Sequence, residues 1–279
     1  MNIERFCYAI WPWGTETREQ MVSAAKDITD IGFHQFESVK AAIYAYDMDI
    51  NAYSEVLKQY NLKPVSFYFH LPQPADEENW FSNLDAELDF GARLGVNVLT
   101  LQGTGFRPEK LKEDGTCTDE DNEKELNKVM RFAKVATKHG ITTCLHPHDN
   151  TRVMMGPEID YMLQNTSAKE LSWAPDTAHL IAGKCDPVEK IRQYADRVGF
   201  THLKDFTMGA DIGSVGLASA GMEVYTNFAE LGKGGVDFKG VMKVLDEAGY
   251  KGYHCVELDT PPSSNKESAK NNYEFVMAL

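Results

Sequence analysis

The chain has 279 residues, of which 43% are hydrophobic and 25% charged, and its formal net charge is −14 at pH 7. This composition is typical of a globular fold of one large domain or two ordinary ones. It contains no stretch of about 18 apolar residues, which argues against a membrane-spanning helix, and its acidic balance without a basic stripe argues against nucleic acid as the partner.

The five cysteines are scattered along the chain, and no two are spaced as C-x-x-C. This usage predicts reduced thiols rather than a disulfide framework or a zinc knuckle. The opening sequence MNIERFCYAIWPWG has no basic segment followed by a long apolar stretch, so we expect no signal peptide. A cytoplasmic protein is therefore expected.

Short apolar segments alternate with longer amphipathic ones along the chain. The apolar segments predict strands at residues 6–10, 34–37, 64–70, 96–102, 142–146, 171–176, 198–204 and 253–257. The amphipathic segments predict helices at about residues 18–31, 52–60, 78–94, 119–139, 157–164, 187–196, 238–248 and 266–277.

Local signals mark the ends of several predicted helices. Gly32, Gly95, Gly140 and Gly249 each follow a helical segment directly, where a left-handed glycine suits a C-cap. In the sequence DPVEK, Asp186 predicts an N-cap with proline at the first helical position.

Eight strand–helix units predict a single (β/α)8 TIM barrel over residues 1–279, since such barrels take about 250 residues. The alternative is a doubly wound open sheet, which usually carries G-x-G-x-x-G after its first strand; that motif is absent here. The glycine-rich LGKGGVDF, which starts at Leu231, is better explained as a loop. No shift in composition marks a second domain.

Polar side chains stand at the carboxyl ends of seven predicted strands. In a parallel barrel these ends converge on one rim, where the active sites of this fold lie. Each residue alone has an ordinary structural explanation, but the joint pattern favours a functional site. The residues concerned are Glu37, His70, Gln102, His146, His148, Asp176, His202, Lys204 and Glu257.

The types of residue at the rim indicate a metal site. Asp176, His202 and Glu257 offer two carboxylates and an imidazole, and His146 of the sequence TTCLHPHDN is a candidate fourth ligand. Such mixed donors suit Mn²⁺, Zn²⁺, Co²⁺ or Mg²⁺ and do not select among them, and Mn²⁺ is our first expectation. Three or four protein ligands leave positions for substrate oxygens.

Four segments resemble the sugar phosphate isomerase/epimerase superfamily of xylose isomerase-like barrels. They are HPHDNT (146–151), APDTAHLIAGKCDPVEKIRQYADRV (174–198), THLKDF (201–206) and FAELGKGGVDFKGVMKVLDEAGYKGYHCVELD (228–259). Within the superfamily the combination is most similar to inosose dehydratases. The resemblance is specific over about residues 141–260 and weaker before them.

The resemblance implies a divalent metal held by Asp176, His202, Glu257 and a fifth-strand residue, for which His146 is the candidate. We expect His148 and Glu257 to be the catalytic residues that transfer protons. The expected substrate contacts are Glu37, His70, Gln102, His179 and Lys204.

The sequence departs from its relatives around the fifth strand. Epimerases of the superfamily carry glutamate where His146 stands. Inosose dehydratases carry a glutamate near position 154, whereas this chain has Met154 there and no acid in the sequence TRVMMGPE before Glu158. The first metal ligand is therefore either His146 or His148.

We predict a metal-dependent isomerase, epimerase or dehydratase that abstracts a proton next to the carbonyl of a keto-sugar or keto-polyol, as in inositol catabolism. The alternatives are a lyase subunit that cleaves C-glycosides in their 3-keto form, an endonuclease IV-like DNA repair enzyme, and a non-catalytic sugar-binding barrel. The expected partner is a small sugar or polyol, with no nucleic acid and no membrane. The chain is expected either to form a homo-oligomer or, as a lyase, to need a partner subunit.

One long segment rich in small residues, 207–225, follows the seventh strand. Its length and composition predict either a lid over the site or a mobile loop.

Overall fold

A computed structural model describes residues 2–207 and 227–279. Eight parallel strands form one sheet, in the order β6-β5-β4-β3-β2-β1-β10-β7. Parallel bridges from Trp173 to Val198 and from Asp176 to His202 join its two ends, so the sheet nearly closes into a barrel. The strands are β1 (Phe6–Ala9), β2 (Gln35–Val39), β3 (Lys63–His70), β4 (Val98–Gln102), β5 (Thr142–His146), β6 (Ser172–Trp173), β7 (Thr201–Leu203) and β10 (His254–Val256).

Helices follow the barrel strands, and a short antiparallel pair, β8 (Asp205–Phe206) and β9 (Phe228–Ala229), stands apart from the barrel. The helices of the described residues are α1 (Arg18–Ile31), α2 (Ala41–Tyr44), α3 (Ile50–Tyr60), α4 (Glu77–Arg93), α5 (Asp119–Lys138), α6 (Gly156–Gln164), α7 (Thr177–Ala182), α8 (Pro187–Gln193), α9 (Phe238–Glu247) and α10 (Asn265–Ala278).

The predicted (β/α)8 barrel is confirmed, and the doubly wound sheet is excluded by the strand order. All eight predicted strands and all eight predicted helices are present, with ends shifted by a few residues. Sequence analysis missed α2 and α7, which have four and six residues and are too short for a helical period to show.

The local signals are also confirmed. The four predicted glycine caps have φ angles of +123°, +85°, +71° and +72° in chain order. The side chain of Asp186 accepts a hydrogen bond from the Glu189 amide at the start of α8. These caps end the helices at the points where the chain must turn back into the barrel.

The barrel interior below the rim is filled by small and medium apolar side chains that precede the polar residues on their strands. These include Cys7, Val65, Cys144, Phe200 and Cys255, all buried. All five cysteines are free thiols. The lower barrel is therefore packed with apolar side chains beneath the polar groups of the rim.

The predicted LGKGGVDF loop is held by a single carboxylate. Asp205 accepts hydrogen bonds from the amides of Gly232, Gly234 and Val236, at 2.8, 2.8 and 3.0 Å. A Cβ at Gly234 would collide with the Asp205 carboxylate and the Phe206 carbonyl oxygen. Glycine at position 234 therefore lets the loop backbone come close to the Asp205 carboxylate.

Within the described ranges, no helix is both long and apolar enough to cross a bilayer. The segment predicted as a lid or mobile loop lies, from residue 208 onward, outside the described residues.

A buried histidine lies at the amino end of the last barrel strand, opposite the rim. The Nε2 atom of His254 is 3.3 Å from an Arg5 nitrogen, and its Nδ1 is 2.9 Å from the Thr201 hydroxyl. Arg5 can only donate, so the ring is the neutral Nδ1–H tautomer. Burial, helped by the charge of Arg5, lowers the pKa of His254 to about 3.

The variant His254→Gln tests how strongly the free energy of unfolding depends on a neutral ring at position 254. Below pH 6.5, the ordinary histidine pKa, the unfolded chain takes up a proton at His254 that the folded chain does not bind. The stability that depends on the neutral ring is therefore lost as pH falls from that value toward the folded pKa. We expect wild-type stability to fall more steeply than the variant's between pH 6.5 and about pH 4, by up to about 1.4 kcal/mol per pH unit.

Urea unfolding at a series of pH values measures this difference. Parallel pH dependences for the wild type and the variant would contradict the prediction.

Candidate functional site

Three residues from neighbouring strand ends form what we call the donor group: Asp176, His202 and Glu257. One ligand atom of each lies within 4.8 Å of the others. Asp176 Oδ2, His202 Nδ1 and Glu257 Oε2 are buried and have no hydrogen-bond partner among the described residues. His202 Nδ1 and Glu257 Oε2 are 2.6 Å apart, close enough for an ion pair but misaligned for a hydrogen bond. Buried polar atoms without a hydrogen bond are costly, so three that face one another form an arrangement that a bound cation would stabilise.

The local fold aims Asp176 at this group. Asp176 is the N-cap of α7, and its Oδ1 accepts hydrogen bonds of 2.8 Å from the amides of Ala178 and His179. The helix start therefore fixes the carboxylate plane and turns Oδ2 toward His202 Nδ1, at 3.9 Å. The same short helix carries His179 at its first turn.

His202 is held from below by Glu37. Its Nε2 is 2.6 Å from Glu37 Oε2, while Glu37 Oε1 accepts hydrogen bonds from Ser66 and Thr100. A carboxylate on one ring nitrogen fixes the tautomer and leaves the other nitrogen to a metal. Glu37 was predicted to contact substrate, but it is fully buried with both oxygens engaged by protein groups, so its contact is with His202.

Buried acids dominate the charge of the site. Burial lowers the pKa of His202, but the nearby Glu37 and Glu257 outweigh it and raise that pKa well above its usual value. Burial likewise raises the pKa of Asp176, to about 7, against the attraction of Lys204. A proton on His202 then occupies the place between the carboxylates that a metal ion would take.

Lys204 supplies the second positive charge. Its buried ammonium lies 2.8 Å from Asp259 Oδ2 and 3.6 Å from Asp176 Oδ2, and it also contacts Glu257. Burial lowers its pKa, but these acids outweigh that effect and raise it. With Glu37 included, four carboxylate groups surround the Lys204 ammonium and the His202 ring, so acidic side chains outnumber basic ones where a divalent cation would add positive charge.

The three other histidines of the site lie beside Asp176. His146 is fully buried, both its ring nitrogens lack a hydrogen-bond partner in the described part of the chain, and it groups with Asp176 and His179. His148 is half-buried and stacks on His179, with ring centroids 3.8 Å apart. Burial, together with other nearby positive groups, lowers the pKa of His146 well below its usual value and that of His148 to about 3.

The remaining predicted residues, His70 and Gln102, lie on the β3–β4 side of the rim. The side-chain oxygen of Gln102 accepts a hydrogen bond of 2.7 Å from the Tyr68 hydroxyl, and His70 faces an open pocket. The Tyr68 ring lies 5.2 Å from the ring of His146 and 5.9 Å from that of His202. The predicted site residues therefore lie together at the carboxyl ends of several strands, with Glu37 beneath the ring of His202.

Sequence analysis missed two residues of the rim, Tyr68 and Asp259. Each is two positions from a residue that was identified, His70 and Glu257 respectively. Because strand side chains alternate, positions two apart share a face, and this rule could have found Tyr68. Glu158, the first glutamate after the two histidines, lies elsewhere: it is buried in an ion pair with Arg107.

The donor group fits a divalent cation. Its atoms are two carboxylate oxygens and an imidazole nitrogen, with the His146 imidazole close by, and mixed donors of this kind hold Mn²⁺, Zn²⁺, Co²⁺ or Mg²⁺. The ring of His202 is already oriented by Glu37, as metal-binding histidines usually are.

Comparison with known proteins gives a consistent picture. A family model described as xylose isomerase-like TIM barrel matches residues 25–278. The inosose dehydratase of Clostridium beijerinckii is 25% identical over 99% of this chain and 96% of its own length.

Two solved structures share the fold. The IolI protein with a bound zinc atom superposes with a TM-score of 0.77 at 14% identity, over 98% of this chain and 97% of that one. A xylose isomerase-like TIM barrel protein from Mycobacterium smegmatis in complex with magnesium gives 0.76 at 14% identity, over 98% and 95%. At these identities the likeness extends to the fold alone.

The variant Glu37→Gln tests whether Glu37 orients a metal-binding His202. Loss of the carboxylate should weaken the hold on the ring and lower metal affinity by about 10- to 100-fold. Titration calorimetry of Mn²⁺ and Zn²⁺ into metal-stripped protein measures the change. Glu125→Gln is the matched control, since Glu125 is equally buried but bonds the Thr104 amide. Wild-type affinity in Glu37→Gln would rule out the orienting role.

Proposed function

The chain belongs to the xylose isomerase-like TIM-barrel family, and from that premise we propose that it is a divalent-metal-dependent enzyme acting on a keto-sugar or keto-polyol. In this proposal it removes a proton from the carbon next to the carbonyl, and the product is a dehydrated or epimerised sugar. The observation that carries the proposal is the donor group, in which three buried ligand atoms without an aligned hydrogen bond face one another among several carboxylates.

The comparisons support this choice of chemistry. The full-length relative is an inosose dehydratase, and inosose is a keto-polyol. Two proteins of the same fold were solved with zinc or magnesium. We infer that Asp176, His202, Glu257 and His146 would hold the ion here, with Mn²⁺ as first expectation.

A bound divalent cation would supply Lewis-acid polarisation of the substrate carbonyl. The protein supplies the proton transfers. His148 donates its Nδ1 hydrogen to the Asp149 carbonyl oxygen at 2.8 Å, so its Nε2 carries the lone pair. The neutral ring can accept a proton at that nitrogen.

Glu257 is the second proton-transferring group. In one direction His148 removes the proton from carbon, and Glu257 in its protonated form gives one from the opposite side. In the other direction Glu257 is the base and protonated His148 is the acid. A proton returned to carbon completes epimerisation, whereas a proton given to the neighbouring hydroxyl lets it leave as water. The buried ammonium of Lys204, in contact with Glu257, stabilises negative charge on the substrate oxygens.

The geometry bears on two of the alternatives. A non-catalytic barrel has no use for a buried, negatively charged donor group, which lowers stability unless an ion fills it. A DNA repair role is disfavoured because the chain carries a formal net charge of −14 and a phosphate backbone is bound mainly by basic side chains.

The activity test uses an inosose as substrate. We expect protein loaded with Mn²⁺ to exchange the hydrogen next to the carbonyl for deuterium in D₂O, followed by dehydration or epimerisation, both visible by NMR. Chelation, or Asp176→Asn, should lower the rate by about 100-fold or more because the carbonyl is no longer polarised. Full activity in a rigorously metal-free preparation would remove this mechanism.

A pair of variants separates the roles of the two histidines after β5. His146→Gln is expected to lower metal affinity, because it removes an unpartnered donor beside Asp176. His148→Gln is expected to leave metal affinity within about threefold of wild type but to lower kcat by about 100-fold, since it removes a base. Titration calorimetry and steady-state kinetics on both variants measure this, and the reverse pattern would exchange the two assignments.

A further inference from the structure

A second group of possible metal ligands lies beneath the donor group, inside the barrel. We call it the inner group: Glu37, His202 and Cys255, of which one ligand atom each lies within 4.8 Å of the others. All three residues are fully buried. His202 belongs to both groups, but the donor group faces its Nδ1, whereas Glu37 lies 2.6 Å from its Nε2.

Neighbouring strands bring Cys255 to this place. On β10, Cys255 is directly opposite His202 of β7 and Cys7 of β1 in the register of the sheet. The thiols of Cys7 and Cys255 are in hydrogen-bond contact, and Cys7 is also fully buried. A second sulfur therefore lies next to the inner group.

The spacing of the inner group is close to that of a tetrahedral metal site. With bonds of about 2.0 Å to nitrogen or oxygen and about 2.3 Å to sulfur, the ligand atoms of tetrahedral zinc lie about 3.3–3.8 Å apart. Glu37 Oε2 and His202 Nε2 would have to separate by roughly 0.7 Å to reach that spacing. The hydroxyls of Ser66 and Thr100 hold Glu37 Oε1, so Oε2 is the oxygen available to an ion.

The inner group and the donor group suit different classes of ion. A thiolate is a soft ligand that favours Zn²⁺ and similar thiophilic ions, whereas carboxylate oxygens suit Mn²⁺ and Mg²⁺. Burial, together with contact to Cys7 and nearby acids, raises the pKa of the Cys255 thiol, so an ion bound there must displace its proton. Thiophilic ions form the stronger bond to sulfur and are therefore the expected occupants.

We propose that the inner group is a second metal site, which takes a thiophilic divalent ion such as Zn²⁺ or Cd²⁺ and thereby prevents metal binding at the donor group. The ion is held by the sulfur of Cys255, Nε2 of His202 and Oε2 of Glu37, with Cys7 adjacent. Starting from the protonated His202 ring, binding releases two protons to solvent, one from the thiol and one from Nε2. The ring keeps its hydrogen on Nδ1.

His202 makes the two sites exclude each other. A neutral imidazole has one lone pair and one N–H group. An ion on Nε2 leaves the hydrogen on Nδ1, facing Glu257 Oε2 at 2.6 Å, where an ion in the donor group needs a lone pair. An ion in the donor group requires the opposite tautomer, with the hydrogen between Nε2 and Glu37. This coupling rests on the proposed function, in which the donor group binds a metal, whereas the inner group itself rests on its geometry.

Cadmium alone is the probe for the inner group, because a thiolate bound to Cd²⁺ absorbs in the ultraviolet. Titrated into metal-stripped protein, Cd²⁺ should produce this absorption until one ion per chain is bound through sulfur, and Cys255→Ala should abolish it. Cys144→Ala is the matched control, since Cys144 is equally buried in the lower barrel but outside the inner group. Cys185→Ala, which removes a partly exposed thiol, should also keep the absorption.

Two results would overturn the inner site. One is the absence of thiolate–cadmium absorption in the wild type, which decides the matter whether or not the variants fold. The other is an absorption that persists in folded Cys255→Ala, or that is lost in Cys185→Ala, since the sulfur ligand would then be another residue.

The coupling between the two sites is tested by displacement of Mn²⁺, followed by electron paramagnetic resonance of the released ion. In the wild type, Mn²⁺ release should follow the thiolate absorption as Cd²⁺ is added. Cys255→Ala should need at least about 10-fold more Cd²⁺, because loss of a ligand costs at least as much affinity as loss of a partner that orients one. Mn²⁺ that stays bound while the absorption rises, or an equal Cd²⁺ requirement in both proteins, would overturn the exclusion.

Neither measurement depends on turnover. Protein that binds both ions as described but does not act on a keto-sugar would refute the proposed function and leave the inner site standing. Absence of Mn²⁺ binding at the outset would refute the proposed function and the exclusion together. Activity on an inosose without thiolate–cadmium absorption would refute only the present inference.

Discussion

The contact between Glu37 and His202 is the constraint on which the site depends. It places a charged pair in the interior of the barrel, fully buried, where only mutual attraction and the hydroxyls of Ser66 and Thr100 offset the loss of water. A carboxylate this deeply buried does not reach a ligand bound at the rim. Glu37 acts on the rim by orienting the His202 ring, whose Nδ1 faces Asp176 and Glu257.

The rim divides its tasks between two sets of strands. The strands from β5 through β7 to β10 carry the donor group and the residues that we propose as proton carriers, while β1 to β3 end at a cavity lined by Trp11, Tyr44, Tyr68 and Trp80, among others. Among the described residues, Trp11 and Tyr68 line this cavity and also lie near the His202 ring. Because the two sets are separate in sequence, changes in the cavity can alter which substrate is held without moving the groups that do the chemistry.

One rule predicts much of this site from the sequence. In a parallel barrel, polar residues at the carboxyl ends of apolar strands meet at the same rim. That rule places His146, Asp176, His202 and Glu257 without any coordinates. It does not give the depth of Glu37, because depth within the barrel depends on strand register, and the pairing of β2 with β3 shifts between Phe36 and Glu37. Nor does it give the full set of residues that line the cavity over β1 to β3, because residues from three βα connections form that cavity only after folding.

The N-cap role of Asp176 has a consequence for coordination number. One of its oxygens is committed to the two amides at the start of α7, so this carboxylate can offer an ion a single oxygen and cannot chelate it with both. A monodentate aspartate occupies one vertex of the coordination sphere, which keeps a further vertex open to incoming oxygens. The start of a six-residue helix would thereby limit how many oxygens this residue offers a bound ion, and a replacement that released the amides would change that number along with the fold.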